Sequence, residues 1–400
     1  MGHRGSRGRV LRFRGERDPE HRPVHDRLRC QGGRLSPPAV ARGRDGTRRC
    51  GGVRMRAVDP ARSRFEGLET LSPARWRRWE EMYRRHGTRV QQSPAYARAV
   101  AASGRRVAVA LAGDPPDAIG AFALDGSICT ALGGDHPLLV RTPTPESVAA
   151  VVADVHRATR LPVYLPLVDT LYARVRAYDG FAVWERSPNS LIDWAGDGAV
   201  FRETVERRGG SHLSRKRRLV ERDGLTLSAG HRGPRAADNV LRVDGRSWKA
   251  ERGQGMAQRP GQERLYRRLV EDGTLTASFL LDHDRPVAFR LDARVGDRVM
   301  CLKWSHDEAY RRYSPGLYLL TEGLLREWTG CDIRTVDLHG GPDTLKDLLH
   351  SVRVPRVDLW CGDRRRGELR AEERSALDAR VGRARESGRG LRHVYDRHPG

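Results

Sequence analysis

Cysteine is scarce in this sequence and forms no metal-binding or redox pattern. Six cysteines occur in 400 residues, and they stand far apart: Cys30, Cys50, Cys129, Cys301, Cys331 and Cys361. No two of them form a CxxC pair, and none is spaced with histidine in the manner of a zinc site. We therefore expect no structural disulfide and no metal.

Long apolar runs are also lacking. No stretch approaches the roughly eighteen apolar residues that a membrane-spanning helix needs, and residues 1–54 contain no apolar run of the kind a signal peptide needs. The sequence therefore predicts a cytoplasmic protein without a membrane span. A Ser-His-Asp or Cys-His arrangement for nucleophilic catalysis is missing as well.

Acidic residues are few relative to arginine and lysine. The formal net charge is +23, and residues 1–54 alone hold fifteen arginines, no lysine and five acids. This Gly-, Arg- and Pro-rich leader is predicted to be disordered. We interpret it either as an upstream extension, with Met55 as the true start, or as a basic arm for nucleic acid or anionic lipid. Phe13 is its only aromatic residue, which disfavours stacking on bases.

Beyond the leader, helical and strand-like patterns alternate. Apolar and aromatic residues at intervals of three and four predict a helix over 71–86. Runs at 274–281, 286–293 and 298–304 are separated by short turn-rich connectors, which predict an antiparallel meander. The alternation predicts an α/β fold rather than a helical bundle.

The stretch 301–346 combines a strand, a charged loop, the start of a helix and a second strand. Ser314 is predicted as the helix N-cap and Pro315 as the first helical residue. A second strand is predicted over 333–338. The exposed amides of a first helical turn carry partial positive charge and can bind a phosphate group.

Three segments in this part of the chain resemble a known family. RSWKAERGQG (246–255), SHDEAYRRYSPGLYLL (305–320) and VDLHGGPDTLK (336–346) resemble GNAT-superfamily acetyltransferases of the FemAB-like and CelD-like group. The resemblance covers about 207–360, and more weakly 68–195. It implies an α/β fold of two tandem GNAT-like halves, each a mixed, mostly antiparallel sheet flanked by helices.

The resemblance also implies a division of the chain. Residues 1–54 form the leader, 55–198 the N-terminal half, 199–362 the C-terminal acyltransferase half and 363–400 a charged tail. A basic run at 215–222 lies at the entrance to the second half. Its positive face is expected to meet a phosphorylated cofactor or an anionic acceptor.

A GNAT-like enzyme must hold the phosphates of its acyl donor. Backbone amides at Ser314, Gly316 and Leu317 can do so, with Arg311 and Arg312 as charge-assisted donors. Gly316 would let the pyrophosphate approach closely. The resemblance implies acetyl-CoA or another acyl-CoA as co-substrate, although FemAB-like relatives use aminoacyl-tRNA.

The amine that attacks the donor must lose a proton. His339, at the end of a strand, is predicted as the proton acceptor, and Asp307 as an orienting carboxylate. Asp307 and Lys346 fall on recurrent positions of the family. Tyr310 is a further candidate for proton transfer.

The acceptor is an amine that the sequence does not name, either a small molecule or a peptide. Trp248 and Lys249 match a family segment and are predicted to line its binding site. Three functions stay open: acyl transfer from acyl-CoA, FemAB-like transfer from aminoacyl-tRNA to a cell-wall or peptide amine, and non-catalytic binding of nucleic acid by a basic protein.

Overall fold

One order of helices and strands occurs twice along the chain. A computed structural model describes residues 64–113, 116–141, 144–194 and 198–362, together with residues 375, 378 and 379. The first repeat consists of β1 (Arg64–Gly67), α1 (Pro73–His86), α2 (Pro94–Ala102), β2 (Val107–Gly113), β3 (Pro116–Asp125), β4 (Ile128–Ala131), β5 (Leu138–Val140), α3 (Pro145–Thr159), β6 (Val163–Asp169) and β7 (Phe181–Asp193).

A long helix, α4 (Ala199–Arg222), leads into the second repeat. This repeat consists of β8 (Thr226–His231), α5 (Pro234–Asp244), α6 (Trp248–Glu251), α7 (Gln262–Glu271), β9 (Thr276–Asp282), β10 (Arg285–Val295), β11 (Arg298–His306), α8 (Pro315–Tyr318), α9 (Leu324–Trp328), β12 (Thr335–Asp337), α10 (Thr344–Leu349) and β13 (Val352–Cys361). Short 3-10 turns occur at Leu68–Thr70, Val90–Gln92, Thr170–Ala177 and Glu308–Tyr313.

The predicted α/β class and the two tandem GNAT-like halves are confirmed. Strands β9, β10 and β11 form the predicted antiparallel meander. The predicted leader and nearly all of the predicted tail lie outside the described residues. Within the described ranges, no helix has both the length and the apolarity to cross a bilayer.

All thirteen strands of the described residues join one sheet. Its order is β1-β2-β3-β4-β6-β13-β7-β12-β11-β10-β9-β8, with β5 paired to β3. The last strand of each repeat is therefore exchanged: β13 lies between β6 and β7, and β7 lies between β13 and β12. Trp360 of β13, for example, is opposite Tyr164 on one side and Ala182 on the other.

The largest apolar core also joins the two repeats. Helix α2 of the first repeat packs on α7 of the second, and Trp79, Val100, Leu265 and Phe289 belong to one buried cluster. In α1, the Ser72 hydroxyl accepts a hydrogen bond from the amide of Arg75 and so caps the predicted aromatic helix. The repeats thus share both a sheet and a core.

The exchanged strands predict that neither half folds alone. Residues 55–198 produced by themselves would lack β13 between β6 and β7, and residues 199–400 would lack β7 beside β12. Each piece would expose unpaired strand edges, so we expect unfolded or aggregated protein by circular dichroism and gel filtration. Co-expression of both pieces is the control and should restore a soluble complex. A piece that is monomeric and folded alone would contradict this expectation.

Candidate functional site

Strands β11 and β12 run parallel but stay together only briefly. Their paired residues end at Met300 and Asp337. Beyond this point β11 continues to His306 along β10. The segment that follows β12 stays with β7 instead, because the amide of Leu338 donates to the carbonyl of Ser190 at 3.1 Å. The two strands therefore diverge and open a cleft between them.

Strand β11 has one extra residue beside this cleft. Residues 301 and 303 pair with consecutive residues of β10, so Leu302 between them is a β-bulge. A bulge interrupts the alternation of side chains between the two faces of a sheet. Trp304 consequently lies on the same face as Cys301, and both pack in the apolar cluster of α9.

Trp304 is the side chain around which several predicted site residues meet. A Cβ on Gly316 would lie 3.5 Å from Cδ1 of Trp304. Lys346 Nζ is 5.6 Å from the centre of the indole ring, and Lys249 Nζ donates to the Trp304 carbonyl at 2.9 Å. Sequence reasoning treated Trp304 as a strand residue only. The available signal was a tryptophan at a strand end, just before the SHDEAYRRYSPG segment.

The helix that begins at Pro315 lies beside Trp304, and its first-turn residues are buried. It runs through α8, a π-helical turn at Leu319–Gly323 and α9. Ser314 occupies the predicted N-cap position with a left-handed backbone, φ 50°, and among the described residues its hydroxyl accepts no capping hydrogen bond. The first-turn amides of Gly316 and Leu317 have no acceptor within the helix. They can therefore bind an external anion.

A buried arginine accounts for the π-helical turn. Arg290 donates to the carbonyl of Leu319. Its other N–H groups donate to Asp292 at 2.7 Å and to Glu327 at 2.6 Å. A Cβ on Gly323 would lie 2.9 Å from Arg290 Nη1, so this glycine leaves room for the guanidinium. The carbonyl of Leu319, which would accept an amide hydrogen bond in a regular α-helix, accepts from Arg290 instead. The helix widens into a π-helical turn at this point.

The basic part of α4 packs beside the loop that precedes this helix. After a kink in α4, residues 211–222 run past the loop. Lys216 donates to the carbonyl of Arg312, and Arg217 lies 3.5 Å from Glu322. The basic run thus reaches the predicted phosphate-binding loop.

The two arginines of the loop lie at the surface. Arg311 is 81% exposed and pairs with Glu308 at 3.5 Å. Arg312 is 68% exposed and pairs with Asp223 at 3.4 Å. The arginine of each ion pair is exposed, so an incoming anion can compete for it.

Three lysines near the end of β11 hold their protons less tightly than usual. Burial lowers the pKa of Lys249 to about 8, although Asp244 acts against the shift. Burial also lowers the pKa of Lys303 to about 8, with Asp244 at 3.9 Å. The pKa of Lys346, which donates to the Gly341 carbonyl at 2.8 Å, is lowered by burial too. Lys249 and Lys303 can therefore exchange protons at a pH near 8.

His339 lies in a buried ionic cluster formed by both repeats. The backbone of His339 is left-handed, with φ 47°, and its backbone N–H donates to the Asp337 carboxylate at 2.8 Å. Arg89 of the first repeat bonds to Asp337 and lies 3.3 Å from Asp135. Burial lowers the pKa of His339 to about 4 against the attraction of Asp337. The imidazole is therefore neutral at neutral pH and a weak base.

The same cluster contains the described groups that best match a metal site. Asp135, Asp337 and His339 bring their ligand atoms within 4.8 Å of one another. The guanidinium of Arg89 already supplies positive charge to both carboxylates, so the chemistry of the cluster favours an internal ion pair over a metal.

The structure directs Asp307 and Tyr310 toward other partners. The Asp307 carboxylate accepts a hydrogen bond from the amide of Ala309 at 3.1 Å and pairs with Arg285 at 3.0 Å. The Tyr310 hydroxyl donates to Asp282 at the end of β9. Both contacts fasten the end of β11. Their predicted part in proton transfer stays a prediction.

The equivalent helix of the first repeat is closed to an anion. In α3 the Thr144 hydroxyl accepts a hydrogen bond from the amide of Ser147 at 3.2 Å. Glu146 lies in the first turn, and a hydrogen bond from its own amide lowers its pKa. A carboxylate and a side-chain cap thus fill this terminus, in contrast to the one at Gly316.

Comparisons with known proteins support one family. Residues 207–347 match the family model described as an acetyltransferase (GNAT) domain. No curated protein matches the sequence. The C-terminal domain of a putative lysylphosphatidylglycerol synthetase from Agrobacterium fabrum is similar in structure, with a TM-score of 0.55 and 16% identity over 78% of this chain and 97% of that chain.

Two further solved structures have the same fold. L-PGS from Bacillus licheniformis has a TM-score of 0.51 and 13% identity over 80% of this chain and 97% of that chain. FemX has a TM-score of 0.50 and 11% identity over 71% of this chain and 95% of that chain. These likenesses establish the fold, and the family match favours an enzyme over a non-catalytic binding protein. Residues 207–347 therefore form a GNAT acetyltransferase domain, which identifies the protein as an acyltransferase, and the chain shares the fold of FemX and of the two synthetase structures.

Proposed function

We propose that this enzyme transfers an acyl group from acyl-CoA to an amine by direct attack, with the donor in the cleft between β11 and β12. The observation that carries the proposal is the open helix terminus at Gly316, which lies beside Trp304 at the mouth of that cleft. The corresponding terminus of the first repeat is closed, so one donor site per chain is expected.

The donor phosphates would bind at the helix terminus. The amides of Gly316 and Leu317 point along the axis of a helix whose dipole favours anions at this end. Lys216 is already bonded to the adjoining loop, and Arg311 is exposed beside it. Together these groups can neutralise a pyrophosphate.

The acyl arm would lie along the edge of β11 that β12 leaves uncovered. Backbone groups on such an edge can bond to the amides of an extended ligand as an added strand would. The bulge at Leu302 frees backbone groups from the ladder with β10. One of these amides is proposed to stabilise the oxyanion that forms as the amine attacks.

The amine acceptor would enter from the side of α6. Lys249 and Arg252 lie 5.9 Å and 5.2 Å from the ring centre of Trp248. Lys249 reaches back to the Trp304 carbonyl, so it links this wall to the cleft. We propose that Trp248 and Lys249 line the acceptor and that Lys346, on the indole of Trp304, lies beside the acyl group.

Calorimetry with the full chain tests the donor. Coenzyme A and acetyl-CoA are each expected to bind at one site per chain, and added salt should weaken binding because phosphates are held by charge. Absence of heat with either ligand, for a protein shown to be folded by circular dichroism, would refute the acyl-CoA proposal.

Aminoacyl-tRNA is the second candidate donor. It is favoured by the exposed arginines of the basic helix beside the loop, Arg215, Arg218 and Arg222. A tRNA would then show reduced electrophoretic mobility with this protein at low salt, and the effect should fall steeply as salt rises. Unchanged tRNA mobility at low salt would remove this candidate.

A further inference from the structure

A histidine and a glutamate meet at the end of β11, next to the proposed acyl site. His306 lies two residues beyond Trp304 and therefore projects from the same face of the strand. Its Nε2 is 3.6 Å from Oε2 of Glu308, with the two side chains 18% and 27% exposed. Sequence reasoning chose Asp307 between them, but that carboxylate is bound to Arg285.

The facing atoms of this pair are both buried. Among the described residues, neither Nε2 of His306 nor Oε2 of Glu308 has a hydrogen-bond partner. The pair is therefore close enough to close into a hydrogen bond when a substrate packs against it, as catalytic pairs often do. Because Nε2 faces the carboxylate, Nδ1 is the nitrogen left to accept a proton.

We propose that His306 accepts the proton of the attacking amine at Nδ1 and that Glu308 positions its ring. The proposal rests on the proposed acyltransferase reaction. The amine lone pair forms the new N–C bond to the acyl carbon, and the proton released from nitrogen moves to Nδ1. The C–S bond breaks, its electron pair leaves on the CoA sulfur, and the imidazolium returns the proton to that thiolate or to water.

The surroundings keep this histidine neutral and ready to accept a proton. Burial lowers the pKa of His306 below its ordinary value, and the charge of Lys249 acts in the same direction. Glu308 raises it, so the two neighbours have opposite effects. Arg311 and Asp307 contribute smaller shifts of opposite sign. His339, the candidate predicted from the sequence, is buried beside Arg89 and Asp337, and its pKa is lowered to about 4. So weak a base accepts a proton poorly at neutral pH.

His306→Gln in the full chain is the first test. We expect kcat with acetyl-CoA and an acceptor amine to fall about a hundredfold or more, while CoA affinity by calorimetry stays nearly unchanged. The acidic limb of the pH profile should disappear. The matched control is His283→Gln, a 96% exposed histidine in the β9–β10 turn, which should keep the wild-type rate and profile.

Two neighbouring substitutions give shifts of opposite sign. Glu308→Gln removes a negative charge, so the His306 pKa falls and the acidic limb moves to lower pH. Lys249→Met removes a positive charge, so the limb moves to higher pH. The same shifts should appear in the NMR titration of the His306 ring, which needs no substrate. A purely structural histidine would not show paired shifts in the rate profile.

The outcomes separate this inference from the proposed function. If wild-type protein binds CoA and transfers acetyl groups but His306→Gln keeps both the rate and the acidic limb, the assignment of His306 is wrong and the acyltransferase proposal stands. If wild-type protein neither binds CoA nor transfers acetyl groups, the donor proposal fails. Loss of the NMR shifts in Glu308→Gln and Lys249→Met would also overturn the assignment.

Discussion

Replacing Gly316 with aspartate is expected to abolish CoA binding while leaving the protein folded. The new carboxylate would stand in the first helical turn, where the proposed pyrophosphate binds, and would repel it. Charge-assisted hydrogen bonds to the two first-turn amides contribute about 1.5–3 kcal/mol each. We therefore expect calorimetric affinity for CoA to fall at least about a hundredfold, with a matching loss of kcat/KM.

The fold has room for this change. A Cβ at residue 316 would meet Trp304 at 3.5 Å, an ordinary contact, and an acidic side chain in a first helical turn is favourable. The melting temperature should therefore stay close to that of the wild type. Gly296→Asp lies in the β10–β11 turn, with φ 60° and nothing within 4 Å of the new Cβ. Aspartate is one of the residues that can adopt this left-handed backbone, so the variant adds the same charge elsewhere and should leave binding intact. Normal CoA affinity in the Gly316 variant would contradict the proposed phosphate site.

Arg89→Leu is expected to destabilise the protein by about 3–5 kcal/mol at pH 7, because it removes the nearest cation from two buried carboxylates, Asp135 and Asp337. Asp337 is fully buried, and burial opposes its charge, yet Arg89, His339 and Asn189 together outweigh burial and hold the pKa of Asp337 below its ordinary value. Burial raises the pKa of Asp135 to about 6. Urea unfolding monitored by fluorescence measures the difference.

The effect should depend on pH in a defined direction. A carboxyl whose folded pKa is depressed stabilises the protein above its unfolded pKa, near 4, and loses this contribution as pH falls through the folded pKa. The difference in the free energy of unfolding between wild type and Arg89→Leu should therefore become smaller as the pH falls. Arg141→Leu, which removes an exposed pair with Asp117 at 3.5 Å, should cost about 1 kcal/mol or less. If Arg89→Leu lowered the free energy of unfolding by as little as that, the ionic cluster would not be needed to hold the two repeats together.

Sequence patterns predict those parts of the candidate site that are formed by residues close together in the chain. The Ser-Pro-Gly start of a helix is a local signal, and the structure brings Gly316 and Lys346 together at Trp304. The sequence does not single out His306 and Glu308, the neighbours of Asp307, because the bulge at Leu302 changes which side chains of β11 face the cleft. Val299, Met300 and Cys301 are consecutive and all buried, so β11 has no clear alternation in which an extra residue would show.

Contacts distant in sequence were beyond such reasoning. Arg89 meets Asp337 across 248 residues, and no periodicity or spacing links the two. The exchange of β7 and β13 is of the same kind, since strand patterns identify strands but not their neighbours in a sheet. One repeat thus supplies a charge that fixes the segment carrying His339 in the other.

The exchanged strands also constrain how the chain is made in the cell. Tyr164 of β6 bonds to Asp358 of β13, 194 residues later, so the gap between β6 and β7 cannot close until the ribosome has released residue 361. Until then a nascent first repeat exposes two strand edges, a state prone to mispairing with other chains. Closing so long a loop is also slow. Chaperone demand during synthesis is therefore expected to be high, and it should fall once β13 emerges.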